Sequence, residues 1–224
     1  MRKLNKKDLT KLISFMATFD GGIYRRYAKG NASFKLNMLK ENLDYVERVG
    51  DVLSQLTGVT IVDRKLSNND GCNRKPQVAL SSRVHPFLTT LHERMYTPDG
   101  KKVLDLHMLK MLDAETLAII FMCDGGSRVH TSAGSSVGSP DITLNTKGFS
   151  ESDNLSLSKA IYEKFGIRSK VNRQNQFRYL RVSSKDAQMF CDTVAPYMAP
   201  SFKYKLERLA PTIELDDDIV CSKW

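Results

Sequence analysis

No two of the four cysteines (Cys72, Cys123, Cys191, Cys221) form a C-x-x-C pair, and the four histidines (His85, His92, His107, His130) make no H-x-H or H-E-x-x-H arrangement. A disulfide scaffold, a zinc finger and a zinc hydrolase are therefore disfavoured. Glycine (13) and proline (7) are too few in 224 residues for a disordered or collagen-like chain. Long apolar runs are missing as well. The longest, Leu117–Cys123, has seven residues, against the roughly 20 that cross a bilayer. The stretch Gly125–Pro140 is rich in glycine and serine around Arg128 and His130, but without G-x-x-x-x-G-K-[ST] it is a flexible hairpin loop rather than a P-loop. The basic start Met1-Arg2-Lys3, followed by the apolar Leu12–Phe19, has the outline of a signal peptide. It ends in Asp20-Gly21-Gly22 instead of a small-x-small cleavage site, and is expected to be part of the fold.

What the chain does have is positive charge. A net charge of +9 points to a polyanionic partner, nucleic acid before an anionic membrane. The excess is uneven: Met1–Leu112 carries 20 basic and 11 acidic residues, and Asp113–Trp224 carries 14 of each. A late cluster, Glu214 and Asp216-Asp217-Asp218, reads as a solvated acidic tail or a cap.

An internal repeat organises the rest. Asp20-Gly21-Gly22 closes the apolar Leu12–Phe19, and Asp124-Gly125-Gly126 closes Thr116–Cys123, 104 residues later. Ser14 and Gly21 match Ala118 and Gly125 at the same offset, the small residues needed where two helices pack closely. Behind each motif the spacing predicts two strands (Ile23–Tyr27 and Ala32–Leu36; Ser127–Thr131 and Ile142–Lys147), then an amphipathic helix (Lys40–Leu56; Glu151–Phe165) ending at Gly58 or Gly166. Two more strands follow (Val59–Leu66 and Pro76–Arg83; Ile167–Arg173 and Phe177–Ser183), then another helix (Pro86–Tyr96; Lys185–Tyr197).

The fold class is thus α+β: two pseudo-symmetric αββαββα halves, each a mixed or antiparallel four-stranded sheet with helices on one face. Alternation such as Ile142 and Leu144 against Thr143, Asn145 and Lys147 leaves one sheet face apolar and the other polar. The expected boundaries are 1–100 for the first half, 101–112 for a linker region entered by the turn Thr97-Pro98-Asp99-Gly100, 113–209 for the second half, and 210–224 for the tail. Two apolar helices ending side by side would bring the carboxylates of Asp20 and Asp124 together, an oxygen-rich site for a hard divalent cation, aided by the negative helix ends.

At this point the sequence resembles the LAGLIDADG homing endonucleases in their single-chain form with two motif copies. The segment Leu117-Ala118-Ile119-Ile120-Phe121-Met122-Cys123-Asp124-Gly125-Gly126 carries the resemblance most clearly, while Ile13–Gly22 is looser, with Phe15 at a motif glycine. Ile142–Thr146, Phe165-Gly166 and Pro200–Leu206 extend it over most of the chain. The resemblance implies a monomeric, intracellular enzyme whose two curved sheets form a saddle on double-stranded DNA. Such an enzyme cuts both strands of a long asymmetric site across the minor groove. It implies Mg²⁺, with Mn²⁺ as a substitute and Ca²⁺ binding without cleavage, and neither a membrane nor an obligate protein partner. Asp20 and Asp124 are then the metal-binding acids beside Gly21 and Gly125, with Lys205 near the scissile phosphate and Lys102 or Lys101 as its counterpart.

Candidate DNA contacts are Arg25, Arg26, Arg64, Lys65, Arg74, Gln77, Ser81 and Arg83 in the first half. The second offers Arg128, Asn145, Lys147, Arg168, Lys170, Arg173, Arg178 and Arg181. Arginine and glutamine can grip guanine and adenine edges in bidentate fashion, and many of the others would touch phosphate alone. Strands of about ten residues span roughly 33 Å, so two sheets would follow about 20 base pairs. Two other readings use the same residues without cutting, an RNA-binding intron maturase and a sequence-specific DNA-binding regulator.

Overall fold

A computed structural model describes residues 3–64, 75–131 and 138–224. The chain divides into two compact units, Met1–Lys101 and Lys102–Trp224.

In the first unit, α1 (Lys6–Thr18) starts at Asn5, whose side chain accepts from the Asp8 amide. Every residue from Leu12 to Thr18 is buried, and the hydroxyls of Ser14 and Thr18 are satisfied by the carbonyls of Thr10 and Ser14. Strands β1 (Gly22–Arg25), β2 (Ala32–Leu39), β3 (Val59–Arg64) and β4 (Gln77–Ser82) form an antiparallel sheet in the order β1-β2-β4-β3. Ile23, Phe34, Leu36, Val78 and Leu80 face the core. There they meet α2 (Leu43–Ser54) and α3 (Pro86–Met95). The predicted helix Lys40–Leu56 begins instead as a 3₁₀ turn, Lys40–Asn42. It is closed by Gln55, whose amide bonds Val52 and Leu53, so Gly58 is not its cap. The Gly58 carbonyl instead accepts from the Arg83 amide at 2.7 Å, at the start of the β3–β4 pairing.

The second unit repeats the plan. It holds α4 (Leu106–Leu109), α5 (Ala114–Asp124), β5 (Gly125–Val129), β6 (Pro140–Leu144), α6 (Glu151–Phe165), β7 (Ser169–Gln174), β8 (Phe177–Val182), α7 (Ala187–Val194) and α8 (Tyr204–Glu207). Its sheet is antiparallel, in the order β5-β6-β8-β7. Helix α6 opens with a capping box between Ser150 and Asp153 and closes at Gly166, which takes the left-handed conformation (φ 71°) that glycine adopts without strain.

Two expected boundaries differ. Most of 101–112 is no plain linker: beyond the Thr97–Lys101 turn, Leu104, Met108, Leu109 and Leu112 are buried with the second unit. In 210–224 the acids Glu214 and Asp216–Asp218 are exposed, but the segment packs on the second unit. Ile213 and Val220 are buried, the amides of Cys221 and Lys223 bond the carbonyls of Ala195 and Pro196, and Asp217 pairs with Lys203 at 2.8 Å. Apolar burial and backbone pairing outweigh the local charge there.

Candidate functional site

Each motif delivers its acid from a buried helix to the first strand of a sheet. Asp124 is the last residue of α5, a helix held at its start by a capping box between Asp113 and Thr116 and buried from Thr116 to Met122. The Asn145 amide donates to the Asp124 carbonyl at 2.7 Å, tying the helix end to the strand beside β5. Asp20 follows Phe19, the C-cap of α1, and the next amide, that of Gly21, turns back to the Met16 carbonyl at 2.9 Å. Both carboxylate residues are half-buried. The glycines after them are required by close approach. A Cβ on Gly21 would stand 2.4 Å from the Phe34 ring, and one on Gly125 would stand 2.2 Å from the Phe121 carbonyl oxygen.

Lys205 belongs to the second of these sites. Although it is a lysine on a one-turn helix, it is only 6% exposed. Its ammonium donates to the carbonyls of Phe121 (3.0 Å), Met122 (2.6 Å) and Gly125 (2.7 Å). It also lies over the rings of Phe121 and Phe202, 5.7 and 5.3 Å from their centroids. Those three carbonyls match the three donors of an ammonium, at the helix end where the backbone dipole is negative. Ser127 completes the lock by donating its hydroxyl to the Lys205 carbonyl. Lys101, by contrast, is exposed and pairs with Asp99 at 3.0 Å. Hydrogen bonds from Thr97 and then Lys101 hold the Asp99 carboxyl below its ordinary range. Lys102 is half-buried.

Each sheet turns one face away from its helices, and strand register shows which side chains share it. In the first unit Gly22, Lys35, Ser81 and Thr60 form one row across all four strands. Asn37, Ala79 and Val62 form the next, and Gln77 and Arg64 another, joined side chain to side chain at 3.4 Å. In the second unit the matching row is Gly126, Thr143, Arg181 and Lys170. Gly22 and Gly126 differ by the same 104 residues as the acids.

Several residues expected on these faces have other engagements. Arg25 shares its side of β1 with the buried Ile23, and bonds the Gly30 carbonyl and Glu93 of α3. Arg178 shares its side of β8 with the buried Leu180, and bonds Glu151 of α6 at 3.0 Å. Even spacing puts both on the helix-covered side, which corrects their expected place on the open face. Arg168 is forked onto the buried Asp186, with its Nε–H 2.7 Å from one carboxylate oxygen and Nη2 2.5 Å from the other. Arg173 donates to the Asn175 carbonyl in the β7–β8 turn. Arg83 lies against Gly58, and Arg26 lies over the Tyr27 ring. Asn145 is exposed and Lys147 half-buried, both beyond the end of β6. Arg128 and Arg181 both approach Asp141. Lys65 and Arg74 lie outside the described residues.

Sequence reasoning missed Lys35, Asn37, Tyr24 and Thr60. Period-two alternation through Ser33, Lys35 and Asn37 could have found the β2 members. Lys35 also sits 5.4 Å from the Tyr24 ring centre, so the two form one basic and aromatic patch.

Among the described residues no three His, Cys, Asp or Glu side chains converge to hold a metal ion, and no helix is long and apolar enough to cross a membrane. Each acid by itself offers a hard carboxylate oxygen donor, the kind a divalent cation takes. The Gly125 carbonyl already accepts from an ammonium. Burial pushes the Cys191 thiol up to about 12, so it supplies no thiolate nucleophile.

Residues 19–190 match the family model described as the LAGLIDADG DNA endonuclease family. Protein RecA from Mycolicibacterium flavescens is 32% identical over 186 residues, covering 81% of this chain and 42% of that protein. The probable intron-encoded endonuclease 1 of Wickerhamomyces canadensis is 24% identical over 193 residues, 83% of this chain and 79% of that one. Among solved structures, the homing endonuclease I-WcaI bound to its DNA recognition sequence superposes with a TM-score of 0.71 at 20% identity, covering 92% of this chain and 88% of that one. This chain spans between 42% and 49% of the length of the first three curated relatives it matches.

Proposed function

The chain belongs to the LAGLIDADG DNA endonuclease family, and from that premise we propose that it is a site-specific endonuclease that cuts both strands of double-stranded DNA. The observation that carries this reading is the repeated motif: in each unit an aspartate stands at or just past the end of a buried helix and leads straight into a sheet with an open polar face. The open faces present Lys35, Asn37, Ser81 and Arg64 in one unit and Arg128, Thr143, Arg181 and Lys170 in the other. These side chains hold phosphates and read base edges.

Asp20 and Asp124 would hold Mg²⁺, each offering carboxylate oxygen at or just past the negative end of a helix. When bound, the cation supplies the positive charge that activates water and stabilises the leaving oxygen in hydrolysis of a phosphodiester. The protein's own share is placement. Lys205 fixes the end of α5 that carries Asp124, and thereby limits where the carboxylate can move. Lys101 or Lys102 is its counterpart for the first half, and Lys101 pairs with Asp99 in the turn. Both motif copies lie in one chain, so the enzyme acts as a monomer.

The test uses a supercoiled plasmid carrying the joined flanks of the gene's insertion point. Linear product with Mg²⁺, and none with chelator or with Ca²⁺, is expected. Binding should weaken with salt, at a slope of log K on log salt steeper than about −4 given about −0.9 per neutralised phosphate. Salt-independent affinity, or sequence-selective binding without Mg²⁺-dependent cutting, overturns the endonuclease assignment.

A further inference from the structure

Asp141 stands on β6 next to the open face of the second sheet, yet its side chain is only 4% exposed. Three cationic or polarisable groups cover it. Arg128, directly opposite on β5, donates its Nε–H to Oδ2 at 3.0 Å. Arg181 brings its Nε to 2.6 Å from Oδ1, at an angle that makes this an ion pair rather than an aligned hydrogen bond. His130 lies 3.5 Å from Oδ2, and its Nε2 is 2.6 Å from Nη2 of Arg181. The four side chains form one braced cluster drawn from three adjacent strands and the residue after β5.

A carboxylate in this place opposes phosphate binding, because it cancels charge on a face that would meet a polyanion. Its geometric effect runs the other way. Asp141 grips Arg128 by the Nε edge, and no described residue bonds the two Nη groups. The Arg128 side chain is 71% exposed, so that pair of nitrogens points outward on a tethered stem. Two parallel N–H donors match the O6 and N7 acceptors of guanine, and a guanidinium held in one orientation loses little freedom on contact. Arg181 has one Nη group turned to His130 and its Nε to Asp141, so it serves mainly to close the other side of the carboxylate.

We propose that Asp141 is a specificity-determining positioning residue: it aims Arg128 at a single guanine of the DNA target, with Arg181 and His130 bracing it. The proposal rests on the reading of this chain as a DNA-binding protein. It separates sequence choice from general affinity, which a merely structural carboxylate would not do.

The test is repeated selection from duplexes with a randomised centre, followed by sequencing, for the full chain and for Asp141→Asn, Arg128→Ala and Arg128→Lys. Circular dichroism confirms that each variant is folded. The wild type is expected to enrich one motif, and Arg128→Ala to lose guanine preference at one position. Asp141→Asn should lose preference at that same position by about tenfold, within the range of one bidentate contact, while its affinity for an unselected duplex rises. Arg128→Lys keeps the charge without the fork, so it should reproduce the loss even if Asp141→Asn does not fold. Guanine preference retained by Asp141→Asn, or by Arg128→Lys, overturns the inference. So does Arg128→Ala binding every sequence equally less well, which would make Arg128 a phosphate contact. A wild type that enriches nothing overturns the DNA-binding premise instead.

Discussion

The ammonium of Lys205 lies 2.7 Å from the carbonyl oxygen of Gly125, the residue that follows Asp124. A side chain from the last turn of helix in the chain therefore holds the end of the motif helix 80 residues earlier. Replacing it with methionine keeps the bulk but leaves three carbonyls at the helix end without that donor. Lys205→Met is expected to destabilise the protein by about 2–4 kcal/mol, from lost charge-assisted hydrogen bonds and the lost helix-end cation. Urea unfolding reads this directly. A midpoint equal to the wild type's would show that the ammonium holds nothing.

Gly125 is pinned from the other side. An alanine Cβ would meet the Phe121 carbonyl oxygen at 2.2 Å, and that neighbour is backbone, which cannot swing aside. Gly125→Ala is therefore expected to cost about 1–3 kcal/mol, the range for overpacking. Gly148 has no heavy atom within 4 Å of its hypothetical Cβ and serves as the control. Gly148→Ala should stay within about 0.5 kcal/mol. Thermal melts of the two variants that coincide would refute the steric account.

Local signals explain which elements were legible in the sequence. Helix α6 keeps its expected bounds, Glu151–Phe165, because Ser150 and Gly166 mark its ends within the segment itself. Helix α2 gives up Lys40–Asn42 to a 3₁₀ turn, and it stops at Ser54 because the carbonyls of Val52 and Leu53 are claimed before the chain reaches Gly58. Long-range partners were not legible. Asp141 is one aspartate in a short strand until Arg181, 40 residues away, folds back against it. The late acidic cluster offered only its charge, while the buried Val220 and the Lys203–Asp217 pair decide its place. Arg25 and Arg178 were legible in kind but not in direction, since their sides follow from the burial of their alternate neighbours Ile23 and Leu180 against the helices.

Arg168 and Asp186 give a prediction about pH. The Asp186 carboxyl is held below its ordinary value, first by the hydrogen bond from the Arg168 side chain, against the opposing effect of burial. A depressed folded-state pKa contributes stability that is present above the unfolded value of about 3.9 and lost as pH falls below it. Asp186→Asn should therefore be less stable than the wild type near neutrality and draw level with it at low pH. Because Arg168 is spent on this pair, Arg168→Met should lower stability and leave DNA sequence preference unchanged. A shift in the selected sequence would return Arg168 to the reading surface.

The two acids test the chemistry most directly. Asn keeps the size of Asp and one carbonyl oxygen, but it removes the charge that holds a hard divalent cation. Removing negative charge near phosphate cannot weaken attraction to DNA. Asp20→Asn and Asp124→Asn should each bind the target in Ca²⁺ within a few-fold of the wild type, or more tightly, while yielding no linear plasmid in Mg²⁺. Position matters to this outcome, since each acid stands at the end of a helix whose following glycine admits no side chain, so no neighbouring carboxylate can easily take its place. Nicked plasmid from one variant would assign that acid to a single strand. Linear plasmid from both would remove Asp20 and Asp124 from the reaction and leave the chain as a DNA-binding member of its family whose chemistry lies elsewhere.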